Sequence, residues 1–199
     1  MIRRLLLTSA ILALTGCGAP DPVEPETAPE PTPPPAATST VAHLTPEGWG
    51  PLRIGMTRAE VVAAVGEDAN PGAVGGPDPD SCDEFRATGA PEAMLLMIEA
   101  GRLTRISLTA PSEVTTDRGY GVGDSGGGIQ AAYGAEARSE PHKYEPAPAG
   151  YITVWSRGGG AGYVQNPDAR GLVFEVGQDG AVKAIRAGGP SIQYVEGCA

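Results

Sequence analysis

Histidine and cysteine are scarce in this chain of 199 residues, with two of the first and three of the second. Cys82 and Cys198, the two cysteines beyond the N-terminal region, are too few to assemble a zinc site. Histidine-based catalysis has only His43 and His142 to draw on. Positive charge is also short: 14 Lys and Arg stand against 24 Asp and Glu, a net charge of −10. With no basic stripe, the composition argues against nucleic acid and against docking on anionic lipid head groups. Aromatic residues are few, and none precedes Trp49. The apolar run Leu5–Leu14 falls well short of the ~20 residues that a membrane-spanning helix needs.

What the N-terminus does have is the order of a secretory signal. Arg3 and Arg4 give a positive start, Leu5–Leu14 is the apolar stretch, and Leu14-Thr15-Gly16-Cys17 follows. That tetrapeptide resembles the lipobox of bacterial lipoproteins, in which the cysteine is lipidated and the chain is cut before it. The expectation is a cleaved signal over 1–16 and an acylated Cys17, which anchors the protein because each buried CH₂ contributes ~0.8 kcal/mol. Gly18 in place of an inner-membrane retention Asp points, in a Gram-negative host, to the outer membrane facing the periplasm. Loss of Arg3 and Arg4 with the signal takes the formal charge from −10 to −12.

Residues 19–40 carry eight prolines among Asp, Glu, Thr and Ala. Such a chain favours extended polyproline II and reads as a semi-rigid, disordered tether over 17–40, with a ligand for a proline-recognition module as the alternative. The folded unit is expected at 41–199, a single domain with enough chain for a core. Once Cys17 is acylated, Cys82 and Cys198 read as one long-range disulfide in an exported domain, the alternatives being free thiols or an intermolecular bridge.

Inside the domain a pattern occurs twice. Ile54-Gly55-Met56-Thr57-Arg58-Ala59-Glu60-Val61 closes at Gly66, and Val122-Gly123-Asp124-Ser125 opens a second copy that closes at Gly134. Thr57 with Glu60 is a capping box, and Val61, Ala64 and Val65 share one helical face. Ser125 is the matching cap, but Gly126-Gly127-Gly128 opposes helix by ~1 kcal/mol per glycine, so the second helix is expected to start late or fray. Later, Leu95, Met97, Gly101, Leu103, Ile106 and Pro111 match Phe174, Val176, Gly180, Val182, Ile185 and Pro190 at equal offsets. Each set predicts a β-hairpin, turning at Ala100-Gly101 and Asp179-Gly180. Further strands are expected near 82–87, 150–157 and 191–196. The fold class is therefore α+β: two tandem similar halves, about 49–111 and 120–190, plus a C-terminal strand, with short helices on one face of an antiparallel sheet.

The segment Ile54–Val61 with Gly66 resembles the repeated segment of the β-lactamase inhibitor protein family. A related segment opens the small outer-membrane-assembly lipoproteins. The resemblance implies two helix-plus-sheet halves, with Gly55, Met56, Thr57 and Gly66 as scaffold positions at the helix ends. It also implies that a concave sheet face and its loops grip a protein partner. The cysteine pattern differs, with one long-range pair where the inhibitor has local pairs.

Gly123-Asp124-Ser125-Gly126-Gly127 matches the serine motif of trypsin-like proteases. The chain between His43 and Ser125 is too short for the barrel that chemistry needs, and the repeat gives Ser125 a helix cap instead. His142, in a Pro-flanked polar stretch, reads as a surface residue. Asp78, Asp80, Asp83 and Glu84 lack the glycine and distal Glu of a calcium loop and read as a solvated acidic loop. Trp49, Trp155, Tyr151 and Tyr163 either fill the core, which a chain with so few aromatics needs, or line a binding face, because aromatics anchor interfaces; Tyr151, Trp155 and Trp49 are the candidate binding residues. The expected function is a lipid-anchored, non-catalytic envelope protein that binds a protein partner, without cofactor or metal. The alternatives are a structural accessory in outer-membrane assembly or cell-wall contact and, remotely, a hydrolase using Ser125.

Overall fold

The computed structural model describes residues 42–198. The signal peptide, Cys17 and the proline-rich tether lie outside these residues. Seven strands form one antiparallel sheet: β3 (Cys82–Phe85), β4 (Met94–Glu99), β5 (Arg102–Thr109), β6 (Ala137–Pro141), β7 (Gly150–Arg157), β8 (Arg170–Val176) and β9 (Val182–Gly188). Their spatial order is β3-β4-β5-β9-β8-β7-β6. A small hairpin, β1 (Gly48–Trp49) with β2 (Leu52–Arg53), precedes helix α1 (Arg58–Val65), and helix α2 (Gly126–Tyr133) precedes β6. Among the described residues no helix is long and apolar enough to cross a membrane.

Alternation along the strands decides the two faces. Leu96, Ile106, Leu108, Ile152, Phe174 and Ile185 join Val61 and Val65 of α1 and Ile129 and Tyr133 of α2 in one apolar cluster. Both helices therefore serve the same core. Ala64, expected on the buried face of α1, is exposed instead. The capping box is present: Thr57 N donates to Glu60 Oε2 (2.8 Å) and Glu60 N to Thr57 Oγ1 (3.3 Å).

Each helix starts on the turn of a hairpin through a matching set of backbone bonds. Gly55 N donates to Leu103 O (2.7 Å), Leu103 N to Met56 O (2.8 Å) and Arg58 N to Gly101 O (3.1 Å). Sixty-odd residues later, Gly123 N donates to Val182 O (2.8 Å), Val182 N to Asp124 O (2.8 Å) and Gly126 N to Gly180 O (3.0 Å).

Two expectations about α2 are corrected. It begins at Gly126, directly after Ser125, without a late start, and the Ser125 side chain makes no capping bond. The cause is close packing. A Cβ on Gly126 would lie 2.9 Å from Val176 Cγ2, so glycine lets the helix seat against the hairpin, and that tertiary contact outweighs the propensity penalty.

The expected C-terminal strand at 191–196 is also corrected. Pro190–Gln193 is a 3₁₀ turn, followed by an irregular tail. Pro190 lacks the N–H of a ladder residue, and Ile192 buries itself across the sheet, on the face away from the helices, against Tyr151 and Val173. Cys198 in the tail is disulfide-bonded to Cys82 of β3.

Candidate functional site

The face of the sheet opposite the helices is divided in two. Over β3, β4 and β5 it is closed by the C-terminal tail. Arg105 is the pin: its Nη2 donates to Glu84 Oε1 (2.6 Å), while Nη1 donates to Ser191 O (3.2 Å) and Tyr194 O (3.0 Å). Glu84, Met97 and Arg105 occupy one cross-strand row, so strand register brings the ion pair together. Burial pulls the Arg105 pKa down, and the Glu84 carboxylate opposes that shift. Cys198 N also donates to Glu84 Oε2 (3.4 Å). The acidic cluster is thus not a uniformly solvated loop: Glu84 is buried and Asp83 pairs with Arg58, whereas Asp78 and Asp80 are exposed. Among the described residues no group of His, Cys, Asp and Glu is placed to hold a metal ion.

Over β6 and β7 the same face is open. Tyr151, Thr153 and Trp155, at alternate positions of β7, floor a groove of about 340 Å³ together with Arg186 of β9. Arg138, Tyr163 and Gln193 are on its rim. Trp155 lies close over the backbone of β8. A Cβ on Gly171 would meet its Cε3 at 2.7 Å, and one on Gly159 would meet its Cγ at 2.1 Å, so both positions need glycine to admit the indole.

The walls are fixed by one side chain. Gln193 Oε1 accepts from Val164 N (2.9 Å), and its Nε2 donates to Val164 O (2.9 Å) and Pro190 O (2.9 Å). That amide joins the 158–164 loop to the 3₁₀ turn and sets the width of the groove.

A charged cluster closes the far end. Arg186 and Lys183 both bond Glu175 or Glu145, and His142 Nε2 lies 3.4 Å from Glu175 Oε1. Lys183 bonding holds the Glu145 pKa below its usual value, and the Lys183 pKa rises correspondingly. Burial, then the nearby Glu175 charge, pushes the Tyr151 phenol up.

His142 is not the surface residue its sequence neighbourhood implies. Its side chain is 5% exposed and its ring stacks on Tyr151 at 4.8 Å. Nδ1 accepts the N–H groups of Tyr144 (3.1 Å) and Glu145 (3.1 Å), an arrangement that places a proton on Nε2. No signal in the sequence marked it, because its partners come from β7 and β8.

Of the aromatic candidates, Tyr151, Trp155 and Tyr163 meet in the groove. Trp49 does not: it packs against the helix-side core and donates from Nε1 to Ala42 O (3.0 Å). Ser125 is exposed at the start of α2, His43 bonds Thr115 (3.2 Å) and His142 bonds Glu175, so Ser125 has neither histidine as a hydrogen-bonding partner. Arg138, Arg186 and Gln193 are site residues that sequence reading missed. Their side chains matter only once β6, β9 and the tail are laid beside β7.

Fold and site together define an α+β protein whose antiparallel sheet has one face closed by helices and, on the other, a preformed aromatic groove whose lining carries Arg138, Arg186 and Glu140. Comparison with family models, with curated proteins and with solved structures returns no match.

Proposed function

We propose that this chain is a lipid-anchored, non-catalytic protein of the bacterial envelope that uses the β7 groove to bind a protein partner. The observation that carries the reading is the groove itself: Tyr151, Thr153, Trp155 and Arg186 on a rigid sheet, between walls tied together by Gln193. Aromatic and arginine side chains on a fixed framework are the composition of interface anchors. The matching backbone bonds at the two helix starts, and the central pairing of β5 with β9, support a further part of the reading, that the domain is two tandem halves.

Two experiments test it. Metabolic labelling with palmitate is expected to mark the wild-type protein and to leave Cys17→Ser unlabelled; labelling of both or neither rejects the anchor. Crosslinking in intact cells is expected to yield a discrete adduct that Trp155→Ala reduces at least fivefold. An adduct pattern unchanged by Trp155→Ala rejects the groove as the binding site.

A further inference from the structure

We infer that the outer edge of β6 pairs with the same edge of a second copy of this chain, antiparallel about a twofold axis on Ser139, so that one sheet runs through both molecules. The inference is independent of what the groove binds, and three observations carry it.

The first is that the two end strands of the sheet differ. At β3 the chain's own segments lie along the strand. Just beyond it Ala69 N donates to Arg86 O (2.7 Å) and Thr88 N to Glu67 O (2.9 Å), and a Cβ on Gly76 would meet the Cys82 carbonyl oxygen at 2.3 Å. Strand β6 has β7 on one side and no strand on the other, and Arg138, Ser139, Glu140 and Pro141 are exposed. Such an edge presents unpaired N–H and C=O groups to another chain.

The second is which of those groups point outward. Glu140 is opposite Tyr151 in the ladder, and His142 N donates to Ala149 O (3.3 Å). Arg138, Glu140 and His142 therefore turn their backbone groups toward β7, and Ala137, Ser139 and Pro141 turn theirs outward. Across a twofold axis on Ser139, each Ser139 exchanges N–H···O bonds with its counterpart, and each Ala137 N–H meets the Pro141 oxygen of the other copy. Pro141 has no N–H to return, so the shared ladder ends there.

The third is charge. Arg138 and Glu140 flank Ser139 on the groove face. The axis sets Arg138 of each copy opposite Glu140 of the other, a favourable cross-strand pair. Among the described residues neither has an ion-pair partner within its own chain. An axis on Arg138 or on Glu140 would oppose like charges, so the charges select one register. The contact is isologous and closes at two copies. Its axis stands normal to the sheet, so both grooves open on the same side. Five residues from each copy make less than the ~1,200 Å² of a stable interface, so the pairing is weak and reversible.

The test is disulfide trapping of the full chain in intact cells, read on non-reducing gels against wild type. Ser139 residues paired across the axis stand ~5.5 Å apart between Cα atoms, within disulfide reach. Pro141 residues, on the same face and as exposed, stand four positions out of register, ~13 Å apart at ~3.3 Å per residue. Ser139→Cys is expected to give a covalent dimer, and Pro141→Cys at least fivefold less. Added to Ser139→Cys, Arg138→Glu is expected to cut the yield at least fivefold, and Arg138→Glu with Glu140→Arg to restore at least half of it. No dimer from Ser139→Cys overturns the inference, as do equal yields from positions 139 and 141. A yield indifferent to Arg138→Glu, or one the charge swap does not restore, overturns it too. An adduct of Ser139→Cys with a different protein overturns the second copy as occupant and assigns the edge to that protein. Trapping at position 139 and the Trp155-dependent partner adduct are separate readouts, so the inference and the proposed function fail separately.

Discussion

At the scale of single residues, the two helix starts look alike in sequence and differ in chemistry. Thr57 accepts from Glu60 N and completes a capping box, whereas Ser125 makes no capping bond and α2 begins because Gly126 fits under Val176. Thr57→Ala is expected to cost about 1 kcal/mol, and Ser125→Ala less than about 0.5 kcal/mol. Chemical denaturation of the two variants checks the contrast; equal losses would mean that Ser125 caps in solution. Arg105 carries more. Removing one member of a buried ion pair strands the other, so Arg105→Ala is expected to cost about 3–5 kcal/mol. Replacing both partners by apolar residues, Glu84→Leu with Arg105→Met, should recover most of that loss. A double variant as unstable as the single one would place the cost in the tail carbonyls that Arg105 also holds.

Tyr194, in the same tail, gives a prediction with a pH axis. Burial first, then Glu99 and Tyr163, push its phenol from 10.0 up to about 12. Below pH 10 the group is neutral in both folded and unfolded chains. Above it the unfolded chain ionises and the folded one resists, so stability falls as pH rises from about 10 to about 12. Absorbance titration of the tyrosines should lose its last phase in Tyr194→Phe, and that variant should show a shallower alkaline loss of stability. A last phase that persists in Tyr194→Phe refutes the assignment.

At the scale of elements, local chemistry was readable and long-range placement was not. The capping box fixed α1, and Asp179-Gly180 marked the turn between β8 and β9, because both signals act within four residues. The alternation from Tyr151 to Trp155 located β7 and put its aromatics on one face. Strand β6, Ala-Arg-Ser-Glu-Pro, has no apolar alternation because it is an exposed edge ending at Pro141, and nothing local announces it. His142 looked like surface because burial there depends on Tyr151 and Glu175. Gln193 looked like a polar residue in a strand, yet it determines the groove wall. Gln193→Ala removes two hydrogen bonds across that wall, both to Val164, and one within the 3₁₀ turn, to Pro190. Hydrogen exchange at Val164 should accelerate at least tenfold while exchange within β8 stays unchanged; an unaltered Val164 would mean the loop holds its place without the amide.

At the scale of the whole molecule, one covalent link ties the end of the chain to its first half. Cys82 and Cys198 are 116 residues apart, and the tail between Ile192 and Cys198 closes half of the open face. A crosslink over so long a loop acts chiefly on the unfolded chain, by about 4.7 kcal/mol for a loop of ~100 residues in the chain-entropy model. The noncovalent hold on the tail, through Arg105 and Ile192, should survive its loss. The expected outcome for Cys82→Ser with Cys198→Ser is therefore specific. The folded near-ultraviolet spectrum stays as in wild type and the denaturation midpoint falls. The m-value rises, because the uncrosslinked unfolded chain exposes more surface. A changed folded spectrum with an unchanged m-value would mean the bond acts on the native state, holding the tail against β3 and β5. Reduction would then uncover the buried pair of Glu84 and Arg105, and the open face would extend from the β7 groove across the whole sheet.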